Sequence, residues 1–310
     1  MKMFNKITEK LLKIVSEYDE NAVYDGAYSI REDGKCVATK SSDHITIEQK
    51  EDRPGMNVHV DDGTKGESVY IPTCVTEGGI EDIVYNDFFI GKDCDIMIGA
   101  GCGVSTEDDS EARHNGVHRL FIGENSHVVY EEKHIGLGSG QGQKMINPSS
   151  QIELADNAYL EINATQISGL TKARRSTGVK LGKHAKLVVR ERLLTEADQR
   201  VDTTFTVYLN GEDSSADLVS RSVARDNSCQ YYKSTIVGNT RCKGHSECDS
   251  IIDENAVVDS MPRLVAKSKE ASLIHEAAIG KIAGEQILKL RTLGLSEEEA
   301  ESQIITGFLE

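Results

Sequence analysis

Ile90-Gly91-Lys92-Asp93-Cys94-Asp95-Ile96 and Ile122-Gly123-Glu124-Asn125-Ser126-His127-Val128 are two copies of one phrase. An aliphatic residue is followed by a turn residue, two variable positions that often include Asp or Asn, a small residue, a spacer and a second aliphatic. The phrase returns as Leu154-Ala155-Asp156-Asn157-Ala158-Tyr159-Leu160, as Leu181-Gly182-Lys183-His184-Ala185-Lys186-Leu187 and as Ile252-Asp253-Glu254-Asn255-Ala256-Val257-Val258, with a looser copy near Leu209. The starts at 90, 122, 154 and 181 are 32, 32 and 27 residues apart. Such a phrase ends one strand, turns a corner, seats a small residue inside and begins another strand, which a stacked coil needs once per revolution. Periods of about 20–50 residues mark solenoids. The strands are short and the intervals lack helical periodicity, so βαβ units do not fit and a β-solenoid does. A β-sandwich with shared turn chemistry is the weaker account. Ile90-Gly91 and Ile98-Gly99 hint at a left-handed hexapeptide helix, but the six-residue beat does not continue.

Composition agrees. Among 310 residues there are 10 Tyr, 6 Phe and no Trp, so the interior is built from aliphatics, as a narrow coil requires. Lys and Arg number 35 against 51 Asp and Glu, a net charge of −16. A field of that sign repels phosphate backbones and argues against nucleic acid as a partner. The densest basic stretch, Lys172, Arg174 and Arg175, reads as a solvated turn. No apolar run reaches the roughly 18 residues of a membrane span. Without an apolar leader segment, the expected location is the cytoplasm, with no membrane partner. Seven cysteines, an odd number without a CxxC pair, argue against a disulfide framework or zinc ribbon.

The ends differ from the middle. Phe4, Ile7, Leu11, Ile14 and Tyr18 recur at helical spacing, predicting an amphipathic helix within 1–20. Residues 21–268 form the predicted coil. From 269 to 310 a helical region is expected. Leu273, Ile274, Ala277, Ala278, Lys281, Ile282, Ile287, Leu288 and Leu290 follow a helical beat that Gly294 stops, and Ser296 with Glu299 makes a capping box for a second helix. This tail either seals the open end of the coil or docks a partner.

Three motifs in this half carry a resemblance. Gly244-His245-Ser246-Glu247-Cys248-Asp249-Ser250-Ile251-Ile252, Leu273-Ile274-His275-Glu276-Ala277-Ala278-Ile279-Gly280-Lys281-Ile282 and Leu293-Gly294-Leu295-Ser296-Glu297-Glu298-Glu299-Ala300, in this order and spacing, resemble the carboxy-terminal half of the SufB/SufD family, scaffold components of the SUF iron–sulfur cluster assembly machinery. The resemblance is strongest over 178–310. It implies a right-handed parallel β-helix, a transient iron–sulfur cluster as cargo, a sulfur donor protein, and a helical C-terminal region that docks a SufC-like ABC ATPase. A reduced flavin takes part in some relatives and is left open here. The chain is short beside longer SufB proteins and resembles the compact scaffolds of minimal SUF systems. That implies a homodimer, with a heterodimer containing a SufB/SufD paralogue as the other arrangement. The ATPase is a separate chain: no G-x-x-x-x-G-K-[ST] occurs, and Gly136-Leu137-Gly138-Ser139-Gly140-Gln141-Gly142-Gln143-Lys144 misplaces its lysine and reads as a loop.

Assembling a cluster takes a thiolate that accepts sulfur and a ligand shell weak enough to release the product. Four thiolates hold permanent clusters, whereas a mixed thiolate, imidazole and carboxylate shell can part with its iron. Cys248, His275 and Glu276 match the family's positions for such a shell, with Cys248 and Glu276 as the reactive pair. Cys248 and His275 are 27 residues apart, one short repeat, which predicts stacking on neighbouring rungs with Cα atoms within ~10 Å. Cys242 and His245, spaced C-x-x-H, are candidate further ligands, and Cys229 a weaker one. His114, His118, His127 and His134 look like a metal cluster, but Asn115-Gly116 points to a polar loop. The competing readings are a β-helix carbohydrate-active enzyme or acyltransferase, disfavoured by the absence of Trp platforms, and a purely structural interaction module.

Overall fold

In the computed structural model, which describes residues 4–16, 18, 24–167 and 169–310, the chain is a parallel β-solenoid of about 8 turns with a short helix before it and two after it. Helix α1 (Lys6–Ser16) precedes the short strands β1 (Ala27–Glu32), β2 (Lys35–Lys40), β3 (Ile45–Gln49), β4 (Gly55–Val60), β5 (Lys65–Tyr70) and β6 (Thr73–Val75). The regular rungs follow as β7 (Glu81–Ile90), β8 (Asp95–Ser105), β9 (Ala112–Ile122), β10 (His127–Leu137), β11 (Lys144–Ile146), β12 (Ser149–Leu154), β13 (Tyr159–Ile167) and β14 (Lys172–Leu181). They continue as β15 (Lys186–Thr195), β16 (Arg200–Leu209), β17 (Ser214–Ala224), β18 (Cys229–Gly238), β19 (Cys242–Ile252), β20 (Val257–Ala266) and β21 (Ala271–Gly280), before α2 (Gly284–Thr292) and α3 (Glu297–Leu309).

Two sheets face each other across the lumen. One stacks β2-β1-β5-β8-β10-β13-β15-β17-β19-β21, the other β20-β18-β16-β14-β11-β9-β7-β4-β3. Among the described residues only the first rungs pair antiparallel, β1 with β2 and β3 with β4. Asp95, His127, Tyr159 and Lys186 are register partners in succession, reproducing the 32, 32 and 27 steps of the repeated phrase.

The phrase is the corner between the sheets. Its fourth residue, Asp93, Asn125, Asn157 or His184, takes a left-handed conformation with φ of 57°, 59°, 60° and 57°, which Asn and Asp tolerate best among residues with a side chain. Its small residue, Cys94, Ser126, Ala158 or Ala185, is buried. Asn125 Nδ2 donates to Asp93 Oδ1 at 3.0 Å and Asn157 Nδ2 to Asn125 Oδ1 at 3.1 Å, a ladder running across the rungs.

Helix α1 lies on the outer face of the first sheet, buried through Leu11, Leu12 and Val15. Gly101 and Gly103 of β8 make room for it: a Cβ on Gly101 would come 2.3 Å from Val15 O, and one on Gly103 2.7 Å from Leu11 Cδ2. A Cβ on Gly99 would come 2.7 Å from Tyr70 Cδ1, so the Ile98-Gly99 signal marks close packing on the outer face of β8 and not a hexapeptide repeat. Residues 1–3, 17 and 19–20 of the expected N-terminal helical stretch lie outside the described residues.

Several expectations change here. Leu273 to Gly280 is strand β21 and not helix, so His275 and Glu276 sit on a rung and the helical tail begins at Gly284. Helices α2 and α3 leave the end of the coil open. Helix α3 lies back toward β15 and β17, where Arg225 pairs with Glu301 and Arg192 Nη2 donates to the Glu310 carbonyl at 3.1 Å. Arg175 is not in a solvated turn: strand alternation in β14 points it into the lumen, 6% exposed. His114, His118, His127 and His134 lie on β9 and β10, with all but His127 buried in the lumen, so no polar loop holds them.

Candidate functional site

The last two rungs of the first sheet carry the three residues singled out from the sequence. Successive side chains on a strand point to opposite faces. Along β19, Cys242, Gly244, Ser246, Cys248 and Ser250 face the lumen and are buried, whereas Lys243, His245, Glu247 and Asp249 face outward. The interval to the final rung is 29 residues, since Cys242 pairs with Ala271, so His275 lies opposite Ser246 and Cys248 opposite Ala277. His275 and Cys248 thus share the inner face on neighbouring rungs, offset by two residues. Strand rise and spacing put their Cα atoms about 8 Å apart. Glu276 is the register partner of Glu247 and points to the opposite face. The thiol and imidazole are brought together, and the carboxylate is not.

Cys248 is 4% exposed. Burial pushes its thiol up, and the hydroxyls of Ser260 and Ser250 pull it back only part way. A buried neutral thiol is a poor nucleophile until a metal or a proton acceptor takes its proton. His275, on the terminal rung, is exposed to solvent beside it. Of the further candidates, Cys242 faces the lumen and His245 the outside. On a strand the C-x-x-H spacing therefore separates thiol from imidazole. Cys229 begins β18 on the other sheet, half-buried, its Sγ 3.8 Å from the Asn227 carbonyl oxygen.

The residues that sequence reasoning missed are inside. In one inner column, Glu132, Ala164, Glu191, Ser220, Cys248 and Ala277 are successive register partners. Arg175 bridges the two acids from the facing sheet, paired with Glu132 and with its Nε 3.5 Å from Glu191 Oε1. His134 Nε2 lies 3.1 Å from the other Glu132 oxygen. Glu191 also accepts from Thr203 Oγ1 at 3.1 Å and from Ser220 Oγ at 2.8 Å. Further along, Ser222 and Ser250 meet at 2.8 Å and Ser234 and Ser246 at 2.7 Å. Burial opposes ionisation of Glu132, but Arg175 and His134 outweigh it and hold its carboxyl far below the usual range. In Glu191 burial prevails over Arg175, Ser220 and Thr203 and raises the carboxyl. A buried polar row thus leads to Cys248 between apolar clusters. Its signal in the sequence is rung arithmetic: once the intervals are known, Glu191, Ser220 and Cys248 fall in one column.

Outside, His245, Glu247 and Glu276 come together, each offering a ligand atom within 4.8 Å of the others. His245 Nδ1 is 2.7 Å from Asp217 Oδ1, and Arg190 Nη2 donates to the other Asp217 oxygen at 2.6 Å. Burial pushes the Asp217 carboxyl up, but these hydrogen bonds together hold it below the ordinary range. No helix among the described residues is long and apolar enough to cross a membrane.

Comparison with known proteins gives concordant results. Residues 93–308 match the family described as SUF system FeS cluster assembly, SufBD core domain. The chain is similar to an iron-sulfur cluster assembly SufBD family protein of Methanothermobacter thermautotrophicus strain Delta H, 31% identical over 73% of this chain and 54% of the relative. It is 32% identical to one from Pyrococcus horikoshii, over 74% of this chain and 69% of the relative. Similarity to one from Methanocaldococcus jannaschii runs over 98% of both chains at 27% identity. The chain spans about half the length of the Methanothermobacter relatives and nearly all of the Methanocaldococcus one.

Proposed function

The chain belongs to the SufBD family of iron–sulfur cluster assembly proteins, and from that premise we propose that it is a non-enzymatic scaffold on which a nascent cluster is built at the open end of the solenoid. Cys248 accepts sulfur, and Cys248 and His275 together hold iron at the lumen mouth. The observation that carries the reading is their shared inner face on adjacent rungs, at the end of the buried polar row.

In the sulfur step the Cys248 thiolate attacks the terminal sulfur of a donor protein's persulfide. A new S–S bond forms as the donor's S–S bond breaks, and the donor thiolate leaves without net oxidation. The buried Cys248 thiol first loses its proton, and the exposed His275 imidazole beside it is placed to receive it. The iron and the cluster are cargo: two ligands from one chain, one sulfur and one nitrogen, make a shell weak enough to give the product up. Glu276 serves iron from the outer face of the same strand.

A SufC-like ATPase docks on the helical region that follows β21 and supplies the work of release, and a second copy or a SufB/SufD paralogue completes the ligand set across the open end. The family membership leaves no support for a carbohydrate-active enzyme or acyltransferase. Anaerobic coexpression with the ATPase tests the reading through iron and acid-labile sulfide content and the visible absorption spectrum. Cys248→Ser is expected to abolish cluster retention, and His275→Ala and Glu276→Ala to reduce it severalfold. Unchanged content in all three variants would remove the assignment.

A further inference from the structure

The outer face of the same two strands holds a second set of ligands. Glu247 and Glu276 are register partners, so two carboxylates of like charge project side by side from strands about 4.8 Å apart. Such a pair is destabilising unless a cation stands between its members. Among the described residues no Lys or Arg is paired with either carboxylate. His245 Nε2 lies 3.9 Å from Glu276 Oε2. His245 stands two residues before Glu247 on the same face. Its other ring nitrogen is tied to Asp217, itself fixed by Arg190, so Nε2 is left pointing toward the carboxylates. A carboxylate that orients a ligating imidazole through its far nitrogen is a recurring feature of metal sites.

We propose that His245, Glu247 and Glu276 form an outer divalent-cation site, distinct from the Cys248 and His275 pair on the inner face. One nitrogen and two carboxylate oxygens, with no sulfur, favour a first-row divalent ion of intermediate hardness such as ferrous iron, manganese or zinc. All three ligands stand on paired strands and not on loops, so the backbone positions that carry them are fixed by the sheet. That ferrous iron is its occupant rests on the scaffold reading; that it binds a divalent ion does not. In this arrangement the thickness of one strand separates a position that loads iron from the inner pair that accepts sulfur and holds the growing cluster, and Glu276 acts in iron loading and not as a partner of Cys248.

The test uses the full chain, purified free of metal and without ATPase or sulfur donor, titrated with Co2+ and followed by absorption. The titration is read in Cys248→Ser, which removes the thiolate of the inner pair, and one Co2+ per chain is expected to bind there without a thiolate-to-cobalt charge-transfer band. In that background Glu247→Gln and His245→Asn should each weaken this binding about 10–100-fold. Circular dichroism confirms that the variants are folded. Co2+ binding that Cys248→Ser abolishes altogether, or that survives both outer-face substitutions in that background, overturns the assignment. Because the assay contains no sulfur and reads no cluster, its outcome is separate from that of the coexpression experiment.

Discussion

His118 shows what the lumen does to a single side chain. It sits on the inner face of β9, 4% exposed, with Nδ1 unpartnered. Burial lowers its pKa from the ordinary 6.5 to about 4; Glu132 and Asp87 oppose the shift, and His114 and His134 reinforce it. The folded value lies below the unfolded one, so between these two values the unfolded chain binds more protons. Stability is therefore full above pH 6.5 and falls as pH drops toward 4. The shift corresponds to at most roughly 3 kcal/mol. Chemical denaturation at pH 7 and pH 5 should show a loss that His118→Leu reduces, the remainder coming from His134, which burial also lowers; an unchanged pH dependence in that variant would assign the loss to other groups. Asp82, held at about 2 by hydrogen bonds from His114 and Arg31 that outweigh its burial, contributes only below pH 4, outside this window.

The corner phrase is the element on which the fold turns. Asn125 combines a left-handed φ of 59° with both sides of the side-chain ladder. Asn125→Val places a β-branched residue in a conformation that costs of order 1–3 kcal/mol and removes both ladder bonds. Asn125→Gly removes the bonds but relieves the backbone. The unfolding free energy from urea denaturation should therefore fall markedly for Val and by about 1 kcal/mol or less for Gly; equal losses would show that the ladder, and not the backbone, governs the corner. This chemistry is why the solenoid was legible: the corner needs Asn or Asp and then a small residue at a fixed offset, and the sequence supplies both at 93–94, 125–126 and 157–158. The final rung was not legible for a matching reason. Leu273 and Ala277 face inward while Ile274 and Ala278 face outward, so apolar residues on both faces hide the alternation of a strand and imitate a helix. The same blindness to register paired Cys248 with His275 through a 27-residue step, when the rung takes 29. It also left Arg175 and Glu191 unread, because a charged residue in an inner column is visible only once the columns are aligned.

At the scale of the whole molecule the two ends of the coil differ. The first rungs close antiparallel, and β2 presents Lys35 and Lys40 at its ends, a device that discourages strand addition. At the other end β20 and β21 are unpaired along one edge, and Val257, Met261, Ile274 and Ile279 are 47%, 40%, 54% and 43% exposed. Helices α2 and α3 lie elsewhere and leave this edge uncovered. An edge of this kind is a template for another β-strand, and the strand that fits a self-complementary arrangement is the same edge of a second copy. The homodimer proposed above is therefore expected to form end to end, bringing two Cys248 and His275 pairs to one junction and raising the ligands available to a cluster from two to four. Light scattering should give the mass of two chains for the wild type. The double variant Ile274→Lys and Ile279→Lys, which puts a charge on each face of β21, should halve that mass while leaving the solenoid folded by circular dichroism. A wild type that is monomeric across micromolar concentrations, or a double variant that stays dimeric, would place the second ligand set somewhere other than this edge.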